Sequence, residues 1–90
     1  MTNKYIVKWT KKFKKAYKRC EKRGYNMKLI DEIITDLANG VHITGAHPLK
    51  GDYTGLYDVH IEPDWILIYG YDNNDLILYL METGTHSDLF

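Results

Sequence analysis

The chain has 90 residues, 44% of them hydrophobic and 13% aromatic, and this length accommodates one domain with a modest core. A single cysteine, Cys20, excludes an intrachain disulfide and a CxxC metal motif. No apolar run reaches the ~18 residues of a membrane span, and no signal peptide is recognisable. We therefore expect one soluble cytoplasmic domain over residues 1–90, with no membrane partner.

The charges are segregated along the chain although their sum is zero. Eleven of the 12 basic residues lie between Lys4 and Lys28, and Lys50 is the only later one. From Leu29 onward the charged residues are otherwise all acidic. Such a split indicates either a cationic surface that meets a polyanion or an ordinary solvated helix face.

The first part of the chain predicts a strand at 4–8 followed by two helices. Thr10 is a suitable N-cap for an amphipathic helix that Gly24 ends, and Asn26 is suitable for a second helix that Gly40 ends. Their apolar stripes predict a helical hairpin with one buried side. The cations on the outer face of the first helix include Lys11, Lys12, Lys15, Lys18, Arg19 and Lys22.

The second part predicts a loop from Val41 to Tyr53 and then three strands joined by short polar turns. The strands are expected at about 56–61, 65–71 and 76–82. The order β-α-α-β-β-β predicts an α+β fold in which the helical hairpin packs on an antiparallel sheet.

Acid–base groups concentrate at 47–65, HPLKGDYTGLYDVHIEPDW, and at the end of the chain. Side chains two apart on a strand share a face, so Asp58, His60 and Glu62 are expected to point the same way. Such alternation is also typical of a strand that merely faces solvent. The polar or aromatic residues that favour a functional site are the neighbouring His47, Asp64, Trp65 and His86.

The opposite face of this strand, with Tyr57, Val59 and Ile61, is expected to face the core. The face of the sheet on which the Trp65 indole lies depends on the length of the turn before it. A two-residue turn pairs Glu62 with Trp65 and places the indole on the polar face, whereas a three-residue turn pairs Ile61 with Trp65 and places it in the core. Both alternatives stay open.

Metal-free cleavage of RNA fits these residues better than other chemistries. A zinc site of His47, His60, His86 and a carboxylate lacks a short-spaced motif such as HExxH. Catalysis by a serine or cysteine nucleophile is not supported, because Cys20 lies on an apolar helical stripe and no GxSxG motif occurs. Attack of a ribose 2′-OH on the adjacent phosphate needs a base, an acid and charge stabilisation, and histidine can serve as acid or base. His42 is expected to be a surface residue.

Four motifs in order resemble the YafQ branch of the RelE/ParE toxin superfamily. They are HPL at 47–49, D-x-H at 58–60, EPDWILIY at 62–69 and TGTH-x-x-LF at 83–90. Each motif alone has low specificity, but the four together are highly specific. The β-α-α-β-β-β order agrees with the RelE-like fold of that superfamily.

The resemblance implies the toxin of a type II toxin–antitoxin system, an endoribonuclease that cuts mRNA in the ribosomal A site. It implies no metal or other cofactor, because the protein supplies the acid–base groups and the ribosome aligns the message. The implied partners are the ribosome, mRNA and a cognate antitoxin of the DinJ/RelB-like class. Operator DNA would be contacted only through that antitoxin.

The resemblance also implies roles for residues at matching positions, with His86 as the general acid. The base and the orienting group stay open among His47, His60 and Asp64. The implied catalytic residues are His47, Asp58, His60, Asp64, His86 and Phe90. The residues expected to bind RNA are Trp65, Lys50, Lys11, Lys12, Lys15 and Arg19.

One position departs from the pattern. Relatives often have an arginine just before TG-[ST]-H, where this chain has Glu82. Stabilisation of transition-state charge must then come from Lys50, a protonated histidine, the helix lysines or ribosomal RNA.

Two non-catalytic interpretations of the same scaffold stay open. A gyrase-binding, ParE-like toxin would not need the histidines. A degenerate toxin that only binds its antitoxin as a corepressor is favoured by the absence of the arginine at Glu82. Cleaved message would separate the endoribonuclease from both.

Overall fold

The structure is a computed structural model that describes residues 4–90. The single-domain prediction over 1–90 therefore includes residues 1–3, which lie outside the described residues. Among the described residues no helix is long and apolar enough to cross a membrane. In chain order the elements are β1 (Ile6–Trp9), α1 (Lys11–Lys22), α2 (Met27–Ala38), β2 (His47–Pro48), a 3-10 turn (Gly51–Tyr53), β3 (Tyr57–Glu62), β4 (Trp65–Asp72), β5 (Ile77–Gly84) and α3 (His86–Leu89).

The two predicted helices are confirmed together with their ends. The Thr10 side chain accepts a hydrogen bond from the backbone N–H of Phe13, and the Asn26 side chain caps α2 in the same manner. Gly24 follows α1 with φ 83° and Gly40 follows α2 with φ 79°. This left-handed backbone is accessible to glycine at little cost, so the chain can leave each helix abruptly.

The strands form one five-stranded sheet in the order β1-β5-β4-β3-β2. Strands β2 to β5 are antiparallel neighbours, but β1 pairs with β5 in parallel. The α+β class is therefore confirmed, while the sheet is mixed rather than wholly antiparallel. The reason is that the helical hairpin separates β1 from the antiparallel meander, whose last strand then runs beside β1 in the same direction.

The sheet has two unlike faces, which we call the helix face and the open face. The helix face packs against α1 and α2 around a large buried cluster, and the open face carries a smaller one beneath α3 and the segment before β3. The helix-face cluster includes Phe13, Cys20, Ile30, Leu37, Val59, Trp65, Leu67, Leu78 and Leu80. The open-face cluster consists of Ile66, Ile68 and Leu89, with Leu49, Leu56 and Met81 partly buried against it.

Two short elements depart from the prediction. The expected loop from Val41 to Tyr53 contains β2, in which His47 pairs with Asp58 of β3, and the 3-10 turn. The terminal helix α3 was not predicted. Both strand and helix are too short to show a hydrophobic period, so they form through tertiary contacts. The other predicted strands are confirmed, with ends that differ by one or two residues, a difference typical of element boundaries.

Candidate active site

His86 and Asp64 form the closest polar contact of the candidate site. His86 begins α3, and Asp64 lies in the turn between β3 and β4. One oxygen, Oδ1 of Asp64, accepts from the backbone N–H of His86 at 3.0 Å and lies 2.7 Å from its Nδ1. Because an ionised carboxylate can only accept, Nδ1 donates to Asp64, and Nε2 is the ring nitrogen that can exchange a proton with a substrate. Both side chains are solvent-accessible, with exposed fractions of 53% and 66%.

The contact between His86 and Asp64 also determines the protonation state of the Asp64 carboxyl. The backbone N–H of His86, followed by its side chain, lowers the pKa of the Asp64 carboxyl below its ordinary value. Asp64 is therefore ionised near neutral pH and can accept a hydrogen bond from Nδ1 of His86. A histidine oriented in this way can release a proton from Nε2 while Asp64 holds the ring.

Two further predicted residues lie beside His86. The His60 ring, which projects from β3, has its centroid 5.4 Å from that of His86 in an edge-on arrangement. The Phe90 ring is 6.4 Å from His86. Tyr53, which was not predicted, lies 6.0 Å from Phe90 in a T-shaped pair. The structure thus brings together an imidazole pair and an aromatic edge from separate parts of the chain.

His47 and Asp58 form a second pair on the neighbouring strands. They are directly opposed in the β2–β3 ladder, and Nδ1 of His47 is 3.8 Å from Oδ1 of Asp58. This oxygen is buried and has no hydrogen-bond partner among the described residues. A buried acceptor without a partner is unfavourable, and the His47 ring is the polar group that lies opposite this oxygen.

The position of Trp65 differs from what RNA stacking requires. Glu62 and Trp65 are paired, as a two-residue turn predicts, but a β-bulge between His60 and Glu62 shifts the alternation. Trp65 therefore lies on the helix face with 2% exposure, and its Nε1 donates to Oγ1 of Thr83 at 2.9 Å. The expected role of Trp65 as a stacking platform is wrong in this conformation, because the indole is enclosed.

The same bulge separates Glu62 from the polar face. Glu62 lines a groove of about 380 Å³ with Tyr25, Asn26 and Trp65, on the side of the helices. The expectation that Glu62 points with Asp58 and His60 is therefore wrong. The extra residue at Ile61 places the side chains after it on the other face.

The lysines expected to bind RNA differ in whether they already contact an acidic side chain. Lys11, Lys15 and Lys50 are exposed. Lys12 lies 3.3 Å from the carboxylate of Glu82, which is 8% exposed. The position where relatives often have arginine thus holds a buried acid paired with a helix lysine.

Arg19 and its neighbour Arg23 contact the end of β5 and α3. The Arg19 guanidinium donates to the carbonyl of Thr83 at 3.0 Å. Arg23 donates to both carboxylate oxygens of Asp88, at 2.7 and 3.2 Å. Arg23 and Asp88 were not singled out from the sequence. A signal was available, because Thr85 and Asp88 have the spacing of a capping box.

His42 is exposed, as predicted, and lies apart from these groups in a groove lined by tyrosines. Within residues 4–90 no group of three or more His, Cys, Asp or Glu side chains is arranged to hold a metal ion. What the site presents is an imidazole pair, an orienting carboxylate and an aromatic edge, all open to solvent. This set can transfer protons to and from a bound nucleotide.

Known proteins agree with this fold along nearly the whole chain. Residues 5–90 match the family described as "Bacterial toxin of type II toxin-antitoxin system, YafQ". The curated mRNA interferase toxin YafQ of Escherichia coli K12 is 36% identical over 88 residues, which cover 93% of this chain and 94% of the relative.

Solved structures give the same result. A chain of the E. coli DinJ-YafQ toxin-antitoxin complex superposes with a TM-score of 0.87 and 33% identity, over 97% of this chain and 98% of that one. A metal-bound toxin from Helicobacter pylori superposes with a TM-score of 0.88 and 31% identity, over 96% and 99%. The chain therefore belongs to the YafQ family of bacterial type II toxin–antitoxin toxins.

Proposed function

We propose that this toxin is a ribosome-dependent endoribonuclease that cleaves mRNA in the A site. The observation that carries the proposal is the His86 imidazole, held by Asp64 and 5.4 Å from the ring of His60. Two imidazoles at one exposed edge supply the acid and the base that attack by a 2′-OH requires. The name of the E. coli relative, mRNA interferase, supports the same reaction class.

The reaction then proceeds as an internal transfer. A base, His60 or His47, takes the proton of the ribose 2′-OH, and the 2′ oxygen forms a bond to the adjacent phosphorus. The bond from phosphorus to the 5′ oxygen breaks, and His86 gives its Nε2 proton to that oxygen. The products are a 2′,3′-cyclic phosphate and a 5′-hydroxyl. Asp64 orients His86 throughout.

The remaining predicted residues position the RNA. Phe90 is 62% exposed and, with Tyr53, offers an aromatic edge on which an unpaired base can stack. Lys11, Lys15 and Lys50 bind phosphates of the message or of ribosomal RNA. Asp58, opposite His47 in the β2–β3 ladder and 3.8 Å from its Nδ1, orients the His47 imidazole.

The proposed partner is a cognate DinJ-like antitoxin, since the structural relatives include the E. coli DinJ-YafQ complex. The antitoxin covers the cationic helix and the site, and any operator DNA is bound through the antitoxin. The toxin acts in the cytoplasm, where its message and ribosomes are.

Primer extension on translated mRNA after antitoxin-free expression tests the proposal. The wild-type protein is expected to produce cuts within codons, and His86→Gln to lower the cleavage rate by about 10²–10⁴-fold. Ser87→Ala, at the exposed neighbouring position, is the matched control and should cleave normally. Uncut message with inhibited gyrase would instead identify the ParE-like alternative, and His86→Gln cleaving like wild type would refute the site.

A further inference from the structure

The element that carries His86 cannot hold its own position. The helix α3 comprises only His86–Leu89, and a single helical turn is unstable in isolation. Its place on the sheet is therefore set by the groups that hold it. Leu89 is buried against Ile66 and Ile68, and Asp64 binds His86 from the side of the β3–β4 turn.

A second carboxylate, that of Asp88, also holds α3 in place. Asp88 accepts from the backbone N–H of Thr85 at 2.9 Å, and Oγ1 of Thr85 accepts from the backbone N–H of Asp88 at 3.1 Å. The same carboxylate receives both hydrogen bonds from Arg23, the residue that caps the end of α1. We call this bidentate pair the Arg23–Asp88 clasp. Such pairs fix geometry as well as charge.

The surrounding backbone is shaped around the clasp. A Cβ on Gly84 would lie 2.8 Å from Oδ2 of Asp88 and 2.9 Å from its Cβ, so only glycine admits the carboxylate here. The Asp88 side chain is 17% exposed and lies 4.0 Å from the Arg19 guanidinium. Arg23, as the largest cause, holds the pKa of the Asp88 carboxyl well below its usual range.

We propose that Arg23, through Asp88, is a positioning residue for His86 in RNA cleavage. The clasp fixes the position of α3, so that His86 keeps its hydrogen bond to Asp64 and its place beside His60. Arg23 itself touches none of the reacting atoms. An ordinary surface ion pair would affect stability slightly and the rate of cleavage not at all. The proposal rests on the proposed endoribonuclease function, since it assigns Arg23 a part in the same site.

Steady-state cleavage of a message on programmed ribosomes tests the clasp. Arg23→Gln is expected to lower kcat on the order of tenfold with little change in KM, because misplacing an acid by a fraction of an ångström affects the chemical step. Lys18→Gln removes one charge from the exposed face of the same helix and is the matched control. If charge alone mattered, both variants would raise KM equally and the proposal would be wrong.

Two further variants separate geometry from charge and from folding. Arg23→Lys is expected to recover only part of kcat, because an ammonium cannot make both hydrogen bonds. Asp88→Asn should lower kcat similarly, and the double variant with Arg23→Gln should be no slower than either single variant. Additive losses in the double variant would show that the two residues act separately. Thermal unfolding of each variant establishes that the rates belong to folded protein.

NMR titration of the Asp64 carboxyl carbon provides a readout that needs no cleavage. In the wild type Asp64 should titrate below its ordinary range, and Arg23→Gln should raise that pKa as His86 leaves Oδ1. Lys18→Gln should leave it unchanged. An unchanged Asp64 titration and kcat in Arg23→Gln would overturn the positioning role. If the wild type cleaves no message, the proposed function fails, while the Asp64 titration still decides whether the clasp positions His86.

Discussion

The two faces of the sheet use the same strands for different purposes. On the helix face, Leu67 and Val59 are almost fully buried beneath α1 and α2. On the open face, only one residue away along β3, His60 is exposed and Asp58 partly so. Side-chain alternation with a period of two produces this division.

The difference shows where polar chemistry can be placed in a domain of this size. A closed apolar face stabilises the fold through burial, at roughly 25 cal/mol per Å² of apolar surface. The open face has a small apolar cluster, so it can present the imidazoles and the Asp64 carboxylate to solvent without the cost of desolvating them. Asp58, whose Oδ1 is buried, is the exception. The Asp64–His86 pair, at the rim of this face, is accordingly accessible to a substrate.

The largest test of this division compares one residue from each face. Phe13 is fully buried, and Phe13→Ala should lower the free energy of unfolding by about 3–5 kcal/mol through lost burial and a cavity. His60→Gln, on the open face, should change it by no more than about 0.5 kcal/mol while abolishing most cleavage. Urea denaturation followed by tryptophan fluorescence measures both. Comparable destabilisation by the two variants would contradict the division.

An intermediate effect is expected at Trp65, which the bulge assigns to the helix face. Trp65→Phe removes the donor to Thr83 and part of the packing, so it should cost about 1–3 kcal/mol of unfolding free energy. Cleavage by the folded variant should stay near that of the wild type. The matched change on the open face is Phe90→Leu, which should reduce cleavage and leave stability nearly unchanged. If Trp65→Phe instead lost cleavage while its stability was unchanged, Trp65 would have to be assigned to the active site.

The smallest effect concerns acid stability at the rim of the open face. Arg23 depresses the pKa of Asp88 in the folded state, so the stabilisation is present above the unfolded pKa of about 3.9 and is lost as pH falls below it. The difference in melting temperature between wild type and Asp88→Asn should therefore be constant from pH 7 to 5 and shrink towards pH 3. Thermal unfolding at these pH values measures it. A difference that grows on acidification would have the wrong sign.

Local sequence patterns were sufficient to predict the longer helices and strands. Thr10 and Asn26 mark the beginnings of both helices because each side chain can replace a missing backbone partner. Alternation along β3 was sufficient to place Val59 in the core and His60 outside. The family motifs located the groups that form the candidate site, although the roles proposed for them are still predictions.

The positions of side chains that depend on contacts between distant parts of the chain could not be predicted from local sequence patterns. The Glu62–Trp65 pairing is compatible with either side for the indole, and the bulge at Ile61 decides it. Nothing local indicates that Arg23 reaches Asp88, because these residues are 65 positions apart in the chain.

The sequence by itself determined the α+β class, the two helices, the main strands and the family. These follow from side-chain periodicity, capping residues and motifs that act over a few positions. Only the tertiary structure decided that β1 joins the sheet in parallel, that Trp65 is buried, and that His86 is held between Asp64 and the Arg23–Asp88 clasp. Those features depend on strand register and on contacts between remote segments, whose free energies are set only when the whole chain has packed.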